Sequence, residues 1–178
     1  MVFIRHSKSN FFKVLLTLSL LLTFSLGFAQ HCQNEVKEDE QVAIKKVVLM
    51  NSTQIAAQGL GSIIANLPQA EKIKMCRKFI KSIRFFDDKS GYFYIYALDG
   101  TNIAHATQPD FEGKNLMNIK DSRGNLSLQE SIKCLKEKKF GVINFENPNT
   151  KKEEKKIIFA EMIPGTDYFI GSGFYLDK

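Results

Sequence analysis

Three regimes of hydrophobic patterning follow one another along the chain. Val14 to Phe28 is almost wholly apolar. From Glu40 to about Phe86 apolar residues recur near the helical period, first Val42, Ala43, Val47, Leu49 and Met50, then Ile55, Leu60, Ile63, Ile64 and Leu67. After the turn cluster Asp87-Asp88-Lys89-Ser90-Gly91 the period drops to two, with Tyr92, Tyr94 and Tyr96 on one side and Phe93 and Ile95 on the other.

The helical regime predicts two helices. Pro68 separates them, because proline lacks the backbone donor and clashes with the preceding turn. The second restarts at Gln69 and runs to Ile83 or Phe86, with Ile73, Cys76, Phe79, Ile80 and Ile83 on its apolar face. Gly59 and Gly61 fall inside the first helix, where they lower propensity and permit close packing.

The period-two regime predicts strands. Asp99-Gly100 is a hairpin turn signal, and Asn102 to Ala106 is the return strand. A loop covers Pro109 to Lys120, and an amphipathic helix covers Leu126 to Lys138. Strands follow at Gly141 to Glu146, Lys156 to Ile163 and Tyr168 to Tyr175, parted by the turns Asn147-Pro148-Asn149 and Pro164-Gly165-Thr166. Five strands in antiparallel order after two helices make an α+β domain, one antiparallel sheet with helices packed on a face.

The ends and the charge narrow the class. Residues 1–13 carry Arg5, Lys8 and Lys13 and no acid, and the apolar run closes on Gly27-Phe28-Ala29. That is the pattern of a secretory signal peptide, residues 1–29, cleaved after Ala29. As an uncleaved anchor the run is short of the ~20 residues that a spanning helix needs. As a lipoprotein signal it places Gln30 and His31 before Cys32, where small or aliphatic residues are wanted. Removing Arg5, Lys8 and Lys13 lowers the net charge from +6 to +3, too small and too evenly spread an excess for nucleic acid. Cys32, Cys76 and Cys134 are too few for a disulfide framework or a zinc site. One Cys76–Cys134 bridge and two buried free thiols are both open.

The run Ile83-Arg84-Phe85, Gly91-Tyr92-Phe93-Tyr94-Ile95-Tyr96, Asp99-Gly100, Ala104-His105 and Gly113-Lys114-Asn115-Leu116 resembles a Cache domain of the single type. The closing stretch adds to it: Lys156-Ile157-Ile158-Phe159, then Pro164-Gly165-Thr166-Asp167-Tyr168 and Ile170-Gly171-Ser172-Gly173-Phe174-Tyr175. In the family pattern a tryptophan stands where this chain has Tyr168. The resemblance spans residues 40–178, leaving 30–39 as a mature N-terminal extension. It implies a PAS-like antiparallel sheet behind a long N-terminal helix, with a ligand pocket on the loop-covered face. It also implies the setting of an extracytoplasmic sensor domain in chemoreceptors and histidine kinases, with organic acids or amino acids as ligands. The chain runs only three residues past its last strand. The expectation is therefore a stand-alone domain, periplasmic or secreted, that binds a small organic ligand, a short carboxylate first, without catalysis.

A carboxylate pocket needs a fixed cation, hydroxyl donors and an apolar wall. Arg84 offers a bidentate fork, or is a helix-end arginine paired with Asp87 or Asp88. Lys156 is the last lysine of a charged run, and the resemblance puts a pocket lysine there. His105, the lone histidine of the folded part, matches a pocket position of the family. Tyr94, mid-strand, and Tyr96 complete the expected ligand set. Ser172 in Gly171-Ser172-Gly173 lacks the glycine flanks of a nucleophile elbow, and Gly59-Leu60-Gly61 lacks the third glycine of a dinucleotide fingerprint. No enzyme, cofactor or metal is expected. The alternative is an interaction module in which helix 42–67 pairs with its own copy or docks on a membrane-bound receptor through Ala56, Ala57, Gly59, Gly61 and Ser62.

Overall fold

The computed structural model describes residue 37 and residues 39–176. The expected signal peptide, its cleavage site and Cys32 lie outside the described residues. The chain divides into two units, residues 1–44 and 45–178, and the second holds the elements described next apart from the first residues of α1. No helix among the described residues is long and apolar enough to cross a membrane.

Helix α1 is described over 39–64. Leu49, Thr53, Ala56, Ala57, Leu60 and Ile64 form its buried face, and the Thr53 hydroxyl donates to the Leu49 carbonyl at 2.7 Å, so the buried polar group is satisfied. Gly61 is the close-packing glycine of the pair: a Cβ there would lie 2.8 Å from Pro164 Cδ, while one at Gly59 would meet nothing. Ala56, Ala57 and Gly61 are therefore used within the unit, and only Gly59 and Ser62 of the expected pairing residues face outward. Their outward neighbours are apolar: Val47, Val48, Ile55 and Ile63 are exposed.

Helix α2, Gln69–Ile80, begins directly after Pro68 and buries Cys76 and Ile80. It ends earlier than the periodicity predicts. Phe86 and Lys89 take positive φ values of 64° and 56°, and Phe85 bridges back to Gly91. The reversal sets Phe85 against Phe93 at a tilt of 39° and Phe86 edge-on to Phe174. Aromatic burial in the sheet outweighs another helical turn.

Strands β1, Phe93–Ala97, and β2, Asn102–His105, form the expected hairpin, turning at Gly100 with φ 93°. A short 3-10 turn, Pro109–Phe111, interrupts the loop that follows. Helix α3, Ser127–Glu137, closes on Lys138 in the left-handed region. Strands β3, Gly141–Glu146, β4, Glu153–Met162, and β5, Tyr168–Tyr175, complete one antiparallel sheet in the order β2-β1-β5-β4-β3. The five-stranded α+β expectation holds. Strand β4 starts three residues before the predicted Lys156, because Glu153 to Lys155 pair with Glu146 to Asn144. Backbone pairing alone sets that edge, where hydrophobic alternation has nothing to read.

Alternation divides the core in two. Phe93, Ile95, Ala97 and Ile170 pack with α1 and α2 on one face. Tyr92, Tyr94, Tyr96, Phe169 and Tyr175 point to the other, with Leu116 of the loop and Leu128 of α3 over them. Cys76 belongs to the first layer and Cys134 packs with Ile143 and Ile158; both thiols are free. Burial raises both pKa values, to about 12 and about 11 respectively.

Candidate functional site

On the tyrosine face the sheet and α3 line a cavity of about 40 Å³, bounded by Tyr92, Tyr94, Tyr96, His105, Ser127, Leu128, Ser131, Ile143, Phe145 and Lys156. Tyr94 and Tyr96 lie two apart on β1, and His105 faces Tyr94 across the hairpin register. Lys156 comes from β4, opposite Tyr175. Ser127, Leu128 and Ser131 are spaced as one helical face on α3, and Ile143 and Phe145 alternate along β3.

Lys156 is the sole charged lining residue. It is 1% exposed, with Nζ 3.7 Å from the Tyr92 ring centroid and 4.9 Å from that of Tyr175. Such placement over aromatic faces attracts a cation but does not neutralise it. Among the described residues no carboxylate pairs with it. Burial pulls its pKa below the ordinary lysine value, and the Tyr92 phenol, as a neighbouring oxygen and hydrogen-bond partner, pulls it part of the way back.

The hydroxyls form two relays. Tyr175 donates to the Glu146 carbonyl at 2.6 Å, so the 3.3 Å contact between Tyr92 and Tyr175 has Tyr92 as its donor. Ser131 donates to the Ser127 carbonyl at 3.1 Å, so Tyr94 donates to Ser131 across 3.3 Å. Both tyrosine bonds are longer than the ~2.5–3.0 Å usual for O–H···O. Their protons are loosely held, and a better acceptor inside the box would compete for them. Burial raises the Tyr94 and Tyr96 pKa values, which keeps both as neutral donors.

His105 is fixed by backbone. Its Nδ1 accepts from the Gln108 amide at 3.1 Å and the Thr107 amide at 3.4 Å. The ring proton therefore sits on Nε2. The ring is stacked with Tyr94 and with Phe145. Burial, then the charges of Lys156 and Arg84, lower its pKa to about 3, so it is a neutral donor at physiological pH.

Four of the five residues expected from sequence, Tyr94, Tyr96, His105 and Lys156, converge on this cavity. Arg84 does not. It is exposed, and its guanidinium donates to the carbonyls of Lys81, Ile83 and Ala106 at 3.3, 2.7 and 2.8 Å. These carbonyls, and neither Asp87 nor Asp88, are its partners. Sequence reasoning missed Tyr92 as the residue beneath the lysine, although it shares the face of Tyr94. Ser131 and Leu128 were readable as one face of the 126–138 helix, and Phe145 through its alternation with Ile143. A second cavity of about 180 Å³ shares Tyr96, Ser127, Leu128 and Phe145 with the first and carries Lys120, Asp121, Glu146 and Glu153. Among the described residues no group of His, Cys, Asp and Glu converges as a metal site would require.

Comparison with known proteins gives this geometry a setting. The Cache domain model dCache_2 matches residues 28–178. The sensor histidine kinase MctS of Rhizobium johnstonii is 24% identical over 143 residues, which are 79% of this chain and 31% of the kinase. This chain thus spans less than a third of that relative. A methyl-accepting chemotaxis protein from Vibrio parahaemolyticus has the same fold, with a TM-score of 0.70 and 24% identity over 79% of this chain and 95% of its own. A Cache chemosensory domain solved as the structural basis of carboxylic acid recognition aligns with a TM-score of 0.62 and 26% identity, over 78% of this chain and 98% of its own.

Proposed function

This chain belongs to the Cache domain family, and on that basis we propose that its aromatic box binds a short monocarboxylate and that the chain is an extracytoplasmic sensor domain for it. Cache domains are sensory ligand-binding modules, and one similar domain recognises carboxylic acids. The observation that carries the reading is Lys156, a buried lysine without an anionic partner among the described residues. Burying an unpaired charge is expensive, and a ligand carboxylate supplies the missing counter-charge.

The donors around the lysine support the same class. Tyr94 Oη and His105 Nε2 are neutral donors beside the cation, a set suited to two carboxylate oxygens. Size limits the ligand. A cavity of about 40 Å³ holds roughly three or four water-sized positions, which corresponds to an acid of about two or three carbons. Charge limits it further: the lining has no Asp or Glu to receive an α-ammonium group. Acetate and propionate fit these terms, and glycine and alanine do not. Lys156, Tyr94, His105 and Tyr96 are the proposed ligand residues, and Arg84 is left out of the set. Residues 1–29 are the proposed export signal, ahead of an extension over 30–39 and the sensor domain over 40–178.

A thermal-shift screen of residues 30–178 against acetate, propionate, glycine, alanine and ethylamine tests the reading. Stabilisation by the two acids alone is the expected result; stabilisation by the amino acids or the amine, or by none of the five, overturns it. A second reading rests on a separate observation, the exposed Val47, Val48, Ile55 and Ile63 of α1. In it this outward face pairs with the same face of another copy.

A further inference from the structure

Gly171-Ser172-Gly173, which has no place in a catalytic motif, lies in the middle strand of the sheet. Glycine weakens a strand interior, because it loses the most conformational freedom on folding and has no side chain to pack. Two of them in a central, fully buried strand therefore need a compensating contact. Alternation puts Phe169, Gly171, Gly173 and Tyr175 on the face that bears the box, large residues at both ends and bare backbone between.

What lies over that bare backbone is specific. Gly171 is the register partner of Tyr94 on one side, and a Cβ on Gly171 would overlap the Tyr94 ring and come within 2.5 Å of its hydroxyl. Gly173 is flanked from the other side by Lys156: a Cβ there would lie 2.7 Å from the lysine Cε and 3.0 Å from its Cγ. Between them Ser172 Oγ donates to the Tyr92 carbonyl at 2.6 Å. Side chains on neighbouring strands ordinarily stand apart, with Cβ atoms about 4.5–5.5 Å from one another. Here a tyrosine from β1 and a lysine from β4 lean toward each other across β5, each lying on a residue that has no side chain. A ring laid over a strand glycine is a known way of covering it.

We propose that Gly171 and Gly173 are positioning residues of the box, whose missing side chains let Tyr94 and Lys156 fold down across β5 and converge on one ligand. The glycine pair thereby fixes the depth of the cavity and so the size of acid it admits. This rests on the carboxylate reading for its ligand, though not for its geometry. Gly173 also faces the Ile157 carbonyl, so a substitution there disturbs backbone as well. Gly171, whose close neighbours are all atoms of Tyr94, gives the cleaner test.

The experiment compares Gly171→Ala in the wild type and in a Tyr94→Ala background. In the wild type, alanine drives the Tyr94 ring into the cavity. Calorimetric affinity for propionate should fall by about tenfold or more, as overpacking a tight site does, and by more than the affinity for formate. The His105 ring signals in NMR, which report the stacked Tyr94, should shift without any ligand. In the Tyr94→Ala background the added methyl has room, and the melting temperature should not fall further. Unchanged propionate affinity with an unmoved His105 signal overturns the proposal. So does an equal loss of melting temperature in both backgrounds, which would make Gly171 a backbone requirement only. Should the wild type bind none of these acids, the carboxylate reading fails while the His105 signal and the melting-temperature comparison still decide the role of Gly171.

Discussion

His105 shows how a single side chain is tuned by what surrounds it. Burial and the nearby Lys156 and Arg84 charges hold its pKa at about 3 against an ordinary 6.5. Below pH 6.5 the unfolded chain takes up a proton that the folded chain refuses. The stability tied to the neutral ring is therefore fully present above that pH and is lost as the pH falls toward about 3. The slope is about 1.4 kcal/mol per pH unit across the window. His105→Asn keeps an acceptor near the Nδ1 position for the Thr107 and Gln108 amides while removing the titration and the Nε2 donor. Urea unfolding of both proteins at a series of pH values should give the variant a shallower fall between pH 6.5 and 3. Carboxylates elsewhere contribute equally to both curves, so parallel curves would mean that the ring titrates normally in the fold.

At the scale of elements, what could be read from sequence was what depends on near neighbours along the chain. The Tyr92-Tyr94-Tyr96 alternation was legible because both faces of β1 are buried in different layers, and each layer leaves its own residue type at every second position. Lys156 was not separable by pattern from Lys151, Lys152 and Lys155. Its distinction is its register opposite Tyr175 and its place over Gly173, which are properties of strands distant in sequence. Arg84 lies apart from the other expected ligand residues for a related reason: α2 ends at Ile80, and in the turn that follows the guanidinium donates to carbonyls. Helix α1 yields a prediction at this scale. Its inward face is satisfied by the sheet, while Ile55 is 71% exposed and, at spacings of seven and eight residues, shares an outward face with Val48 and Ile63. An outward row of apolar residues on one helix is a surface to be covered. If it pairs with its copy, the wild type sediments as a dimer and Ile55→Glu as a monomer with unchanged circular dichroism. A wild type that is monomeric at high concentration removes that pairing.

For the molecule as a whole the box is a local cost within a small stability margin, since domains are stable by only about 5–15 kcal/mol. A buried lysine without an anionic partner among the described residues and two tyrosine hydroxyls at long hydrogen-bond distance line one cavity, and two bare glycines lie beneath Tyr94 and Lys156. None is the arrangement that would maximise stability of the empty protein. Lys156→Met keeps the stem that lies over Gly173 and removes the charge. The empty variant should be more stable than the empty wild type, by on the order of 1–4 kcal/mol if a lone buried lysine behaves like the buried ion pairs for which that gain is known. Acetate at about 100 times its wild-type dissociation constant should add about 2.7 kcal/mol to the wild type and nothing to the variant. Melting curves of the two proteins with and without acetate therefore test both halves of the argument. A variant less stable than the empty wild type would make the ammonium a structural group, held by its aromatic neighbours rather than waiting for an anion. A variant still stabilised by acetate would move the carboxylate site away from Lys156 altogether.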